Sequence, residues 1–231
     1  MNSRIKLLWA TPDCEYQIVR STRICWDSGE ESDSRWVQTD DYRKLMVEKQ
    51  MTLGVPLFEV KLGSKDEALL RKIMSNQHNT CLRFASAAFH IEGISRVCSH
   101  QLVRIANFGL LQRSQRYCLE DGTGFILPTS LEFDDEVLEF NKAAENLYRK
   151  LIANGVKEED ARYVLPSSSS TQLDMTSNFQ GWKHFLSIRL AKKVQYETRL
   201  VAAKLCQELY KLAPIVFEED YNKLDKISLG D

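Results

Sequence analysis

The chain has 231 residues, 43% of them hydrophobic and 27% charged, enough to close one core, and we read it as a single domain over residues 1–231. Its formal net charge of -1 supplies no bulk field toward nucleic acid or an acidic membrane, so any anion binding must be local. No apolar run approaches the roughly 20 residues of a bilayer span and the first ten residues lack a signal peptide's apolar region. The expected location is therefore cytoplasmic, where six cysteines without a Cys-x-x-Cys pair read as unbridged thiols with no metal role.

In chain order, Ile5–Trp9 reads as a first strand, Tyr16–Trp26 is ambiguous, and Asp27–Ser34 is a loop. Thr39–Met51 has helical spacing, Gly54 and Pro56 interrupt it, and Leu57–Leu62 alternates as a strand. Ser64-Lys-Asp-Glu67 has the pattern of a capping box opening a helix with Leu69, Leu70 and Ile73 inward. Arg83–Ile91, with Phe84, Ala88 and Phe89, is predicted to be a buried strand ended by Gly93, and Ser95 to cap a helix running to Arg104. Gly122-Thr-Gly124 is a turn, and Asp134 or Asp135 caps a helix with Val137, Leu138, Ala144, Leu147, Leu151 and Ile152 inward, stopped by Gly155. Lys157–Val164 is a short helix and Ser167–Ser170 a surface loop. Phe179–Leu190 and Gln195–Leu212 are helices, the second ended by Pro214, with a peripheral tail after Phe217.

The stretch Ser99–Tyr117 looks most like a site, with three arginines, three glutamines and two serines among enough apolar residues to be held rigidly. Guanidinium forks and hydroxyls grip phosphate through short, charge-assisted hydrogen bonds. Arg162 and Arg189 sit on later predicted helices beside apolar neighbours. Glycine-rich dinucleotide and phosphate loops, Gly-x-Ser-x-Gly and His-Glu-x-x-His are all absent, and the four histidines, His78, His90, His100 and His184, are isolated.

Ile94-Ser-Arg96 through Gln101-Leu-Val-Arg104, followed by Ser114-Gln-Arg-Tyr117, resembles the signature of the flavin-dependent thymidylate synthases, Arg-His-Arg, seven residues, then Ser and usually Arg-Tyr. His78-Asn-Thr80 resembles the family's His-x-Thr/Ser element, and Ala161-Arg162-Tyr-Val-Leu-Pro166, Asn178 and Leu186-Ser-Ile-Arg189 follow in order, so the likeness runs from about Leu69 to Pro214. It implies a mixed α/β fold with a central, mostly antiparallel sheet packed by helices, in a homotetramer with shared sites. The implied reaction methylates dUMP at C5 with methylene-tetrahydrofolate, FAD and NADPH, without a cysteine nucleophile. Position by position, Gln101, Arg104, Gln112, Ser114, Arg116 and Arg162 would hold dUMP. Arg189, the implied catalytic residue, would sit against the uracil and favour N3 ionisation. His78, Thr80, Asn178 and His184, with Arg104 and Gln112, would line the flavin side.

The chain departs from the signature. Arg104-Ile105-Ala106 stands where the triplet reads Arg-His-Arg; alternatively Ile105-Ala-Asn-Phe108 matches the Ile-Ala-Ser-Phe that usually follows, and two triplet residues are deleted. Gln112 replaces an acid, Arg83-Phe84 the usual Glu-His, and Gln180 an arginine. Two lost charged contacts at about 1.5 to 3 kcal/mol each weaken binding by roughly two to four orders of magnitude. Two further readings therefore stand beside dUMP methylation: C5 modification of another pyrimidine nucleotide, and a non-catalytic nucleotide-binding homologue without flavin.

Overall fold

Two strand segments build the centre of the sheet, one of them strictly alternating in burial. From Ser170 to Asn178 every second side chain, Thr171, Leu173, Met175 and Ser177, is buried, and between Ser86 and Ser95 the inward set includes Ala87, Phe89 and Ile91. In the computed structural model, which describes residues 3–37 and 59–224, these segments are β6 and β4. The remaining elements are β1 (Arg4–Ala10), α1 (Cys14–Cys25), β2 (Arg35–Val37), β3 (Glu59–Lys61), α2 (Ser64–Ser75), α3 (Arg96–Leu102), β5 (Gly109–Gln112), α4 (Asp135–Ala153), α5 (Glu158–Ala161), α6 (Phe179–Arg189), α7 (Tyr196–Leu212) and α8 (Pro214–Asn222).

The large sheet has the order β1-β4-β6-β5, antiparallel throughout, and β2 pairs with β3 in a small separate ribbon. The expected mixed architecture is thus what the structure shows. Helices α1, α6 and α7 bury Ile18 and Val19, Trp182 and Phe185, and Val201, Leu205 and Leu209 in one cluster with the inward strand residues. Trp182 is its centre: the ring meets Phe89, Phe108 and Phe185 edge-on at 5.3, 4.9 and 5.6 Å, and its Nε1 donates to the Ala87 carbonyl at 3.1 Å. Among the described residues no helix is long and apolar enough to cross a membrane.

Several expectations are corrected. Tyr16–Trp26 resolves as helix α1, and the strand expected from Arg83 starts at Ser86 because Asn79–Phe84 is a 3-10 turn, leaving Phe84 61% exposed. Gly93 does not end β4: at φ 68 it takes up a bulge between Glu92 and Ile94, and pairing continues to Ser95. Ser170 opens β6 rather than closing a loop. Helix α3 stops at Leu102, before Arg104, and Pro214 begins a helix as well as following one. That helix makes the tail after Phe217 less peripheral than expected, since the half-buried pair Lys183–Asp220 (2.6 Å) ties it to α6. On α4 the buried residues are Asn141, Ala144 and Tyr148, and Leu147 is exposed. Residues Lys157–Val164 divide into four-residue α5 and a 3-10 turn, Arg162–Val164. The helix predicted over Thr39–Met51 lies outside the described residues, as does the start of the Leu57–Leu62 strand.

The capping box is also replaced. Ser64 is the first residue of α2 and makes no capping bond to it; instead the Asp33 carboxylate accepts from the backbone of Lys65 (3.0 Å) and Asp66 (3.1 Å). Gly63 permits this, because a Cβ there would overlap the Asp33 carboxyl. Glu67 pairs outward with Arg71 at 3.0 Å.

Beneath this cap Asp66 is fully buried and accepts from Arg23 at 2.6 Å, Ser32 at 2.6 Å and Ser34. Burial alone would raise its pKa, but the donors and the Arg23 charge together hold it below the ordinary carboxylate range. The ionised form is therefore favoured by folding, and its contribution is complete above the ordinary range and lost as pH falls through the depressed folded value. Asp66→Asn is expected to lower unfolding free energy by about 3 to 5 kcal/mol, because Arg23 is left buried without its charge partner. Urea titrations should also show a shallower loss of stability below about pH 4 in the variant than in the parent.

Candidate active site

Site geometry begins at the junction of β4 and α3. The Ser95 hydroxyl accepts from Cys98 N at 3.0 Å, the expected helix cap, and the same hydroxyl donates to Glu197 Oε2 at 2.6 Å. Glu197, 5% exposed at the start of α7, also accepts from Ser95 N at 2.7 Å. One buried carboxylate thus fixes where α3 starts, and with it Arg96, Ser99 and Gln101.

The predicted residues fall into two hydrogen-bonded groups. In the first, Gln101 Nε2 donates to Gln195 Oε1 at 2.9 Å, and its carbonyl accepts from Arg189 Nη2 at the end of α6. The Arg189 Nε is buried with no protein partner, leaving a charged donor unused. In the second, Ser114 Oγ accepts from Arg116 N at 3.2 Å; Arg116 Nε donates to Glu159 Oε2 at 2.8 Å; and Arg162 Nε donates to the Glu159 carbonyl at 3.0 Å. Glu159, which the sequence reading missed, therefore gathers two guanidiniums whose positions differ by 46 residues. Gln112 belongs to neither group, donating to Ser99 Oγ (2.9 Å) and Thr171 Oγ1 (3.3 Å). Arg104 is exposed past the end of α3 with no bond to either group, and no hydrogen bond among the described residues joins the two.

The flavin-side candidates share another neighbourhood. The turn Asn79–Phe84 carries Thr80, with His78 at its entry, and is held to the start of α6 by Phe179 N to Ala85 O (2.8 Å) and by Arg83 Nε to Gln180 Oε1. The two departures at positions 83 and 180 are therefore partners. Asn178 spends its side-chain oxygen capping α6, accepting from Gly181 N at 2.9 Å. His78, Thr80 and His184 are exposed. Imidazole, hydroxyl and guanidinium groups exposed on one turn and the helix it abuts fit a flavin's polar edge and phosphates in kind. A cavity of about 430 Å³ lies elsewhere, lined by Asp13, Glu15, Leu62, Lys211 and Ile215, and contains no predicted site residue.

Ile105 is 8% exposed and belongs to the core, and Phe108 packs on Trp182. That packing suits the alignment of Ile105-Ala-Asn-Phe108 with Ile-Ala-Ser-Phe, which leaves two triplet residues deleted. A polar ring at 105 would displace buried apolar surface, so Ile105→His is expected to cost about 2 kcal/mol or more, read by chemical unfolding. Glu197→Ala should cost about 3 kcal/mol by the same measurement, since two bonds to a charged acceptor are lost.

Comparison with known proteins gives the family and the fold. The profile of the family described as "Thymidylate synthase complementing protein" matches residues 6–215. The "Flavin-dependent thymidylate synthase" of Geobacter sulfurreducens is 34% identical over 223 residues, covering 94% of this chain and 86% of that one. The enzyme of the same name from Pyrococcus horikoshii is 41% identical over 168 residues, 68% of this chain and 69% of that one. Among solved structures, the UMP/dUMP methylase PolB from Streptomyces cacaoi, bound with 5-Br dUMP, superposes with TM-score 0.73 at 20% identity, over 94% of this chain and 93% of that one. These matches show that the chain belongs to the family of flavin-dependent thymidylate synthases.

Proposed function

We propose that this chain methylates dUMP at uracil C5 to give dTMP, with FAD bound and methylene-tetrahydrofolate and NADPH as co-substrates. The observation that carries the reading is the meeting of Ser114, Arg116 and Arg162 around Glu159, three groups suited to a nucleotide's phosphate. Arg189, whose Nε is free and whose Nη2 is anchored on the Gln101 carbonyl, is the residue to face the uracil. A guanidinium does not give up its proton at neutral pH, so it favours N3 ionisation and stabilises developing ring anion electrostatically. Gln101, Arg104 and Gln112 complete the nucleotide contacts, and Arg104 and Gln112 also reach the flavin. His78, Thr80, Asn178 and His184 hold the flavin, which when bound supplies the hydride that reduces the pyrimidine.

Two copies supplying one site would bring to one ligand the two guanidinium groups that no hydrogen bond joins among the described residues of a single chain. Leu111, Tyr117 and Tyr163, beside the anion group, are 78%, 76% and 85% exposed, as surfaces covered by a second copy are. The family resemblance makes the assembly a homotetramer with shared sites, and the six unpaired cysteines suit a reducing cytoplasm.

A second reading, methylation of UMP or another pyrimidine nucleotide, is favoured by the shared fold with a UMP/dUMP methylase and by the altered triplet. Incubating the purified protein with methylene-tetrahydrofolate, FAD, NADPH and either dUMP or UMP separates the two. Tritium release from 5-tritiated dUMP is expected. Turnover of UMP alone transfers the activity to the second reading, and a colourless protein inactive on both leaves a non-catalytic nucleotide binder. Arg162→Gln is expected to raise the KM for dUMP by about 10- to 100-fold, whereas Arg189→Gln should lower kcat by about 100- to 1,000-fold.

A further inference from the structure

Arg96, the first residue of α3, has no place in the contacts assigned above, yet its guanidinium, like the Nε of Arg189, carries a buried donor without a protein partner. Its backbone N donates to the Ser169 carbonyl at 3.1 Å and the following N, of Val97, to the Ser167 carbonyl at 3.1 Å. These bonds set it beside the segment that leads out of the Arg162 turn. Its guanidinium makes no hydrogen bond or ion pair among the described residues, and its Nη1 is fully buried. A buried charged donor without an acceptor is a costly arrangement that a ligand oxygen would relieve.

The neighbouring carboxylates are bonded to other guanidiniums. Glu120 is engaged by Arg113 Nε at 3.1 Å, and Glu159 by Arg116 Nε at 2.8 Å. Arg162 uses only its Nε, on the Glu159 carbonyl. Burial draws the Arg96 guanidinium below its ordinary pKa, the like charge of Arg162 adding to the effect and Glu120 opposing it. The chain of neighbours Arg113, Glu120, Arg96, Arg162, Glu159 and Arg116 holds four guanidiniums and two carboxylates. Its surplus of two positive charges is what a phosphate monoester of charge about -1.5 to -2 would balance.

We propose that Arg96 is a further anion-binding residue, gripping together with Arg162 the phosphate of the nucleotide substrate. The identity of that substrate rests on the function proposed above; the anion site does not.

The test titrates the full-length parent, Arg96→Gln and Arg96→Lys with dUMP, 2′-deoxyuridine and inorganic orthophosphate by calorimetry, and records each protein's Tm without ligand. For Arg96→Gln a rise of tenfold or more in the Kd for dUMP is expected, with the Kd for deoxyuridine unchanged and stabilisation by orthophosphate lost. Its ligand-free Tm should stay the same or rise, because a like-charge contact is relieved, and Arg96→Lys should recover part of the dUMP affinity. An unchanged ratio of dUMP to deoxyuridine affinity overturns the proposal, and a fall in ligand-free Tm with that ratio unchanged makes Arg96 a structural partner of Glu120. Should Arg96→Gln not fold, Arg96→Lys carries the test: a dUMP Kd equal to the parent's counts against the proposal and a selective rise for it. If the parent binds neither dUMP nor deoxyuridine, the nucleotide reading fails by itself; Arg96-dependent stabilisation by orthophosphate then still upholds the anion site, and its absence removes both.

Discussion

The carboxylate of Glu197 is the constraint on which the site depends. Buried at the head of α7, it takes both the backbone N–H and the hydroxyl of Ser95, at the residue where β4 ends and α3 begins. Two charge-assisted bonds to one residue fix the direction in which the chain leaves the sheet. From that point α3 sends Ser99 toward Gln112 and the Gln101 carbonyl toward Arg189. Shifting this junction by one residue would rotate the helix by about 100° and dissolve both contacts.

A second principle, unequal charge, shapes the other half of the site. Elsewhere among the described residues some exposed arginines are neutralised locally, as Arg71 is by Glu67 and Glu218, and Arg149 by Asp121 and Glu145. Around Glu159 the ratio reverses, and guanidiniums outnumber the acids that meet them. A fold tolerates such an excess at a cost in its own stability, and ligand sites are where that cost is commonly kept. The bulk charge near zero hid this from composition, since the surplus is local.

How much could be read from the sequence depended on whether a feature was local. Helices α2, α4, α6 and α7 were legible because their apolar spacing lies within one segment, and Ser95 and Asp134 were legible as caps because the bond spans three residues. The cap of α2 was misassigned because its acceptor, Asp33, comes from over thirty residues earlier, which no local pattern records. Strand β6 was missed for another reason. Its outward positions carry Gln172, Asp174 and Thr176, and its inward Thr171 and Ser177 are polar, so alternation of burial is not alternation of hydrophobicity. Likewise the arginines were visible as residue types, but Glu159, which assembles two of them, carries no signal beyond an acidic residue on a short helix.

The position of β6 has a consequence for synthesis. The last strand made lies between the two that precede it in the sheet, so β4 pairs with β1 first and then waits with one edge open until Ser170–Asn178 leaves the ribosome. At translation rates of about 5 to 20 residues per second that wait lasts roughly 4 to 15 s. For its duration the nascent chain displays Ala87-Ala-Phe-His-Ile91 as an unpaired edge, the kind of surface that chaperones cover and that other nascent chains can join.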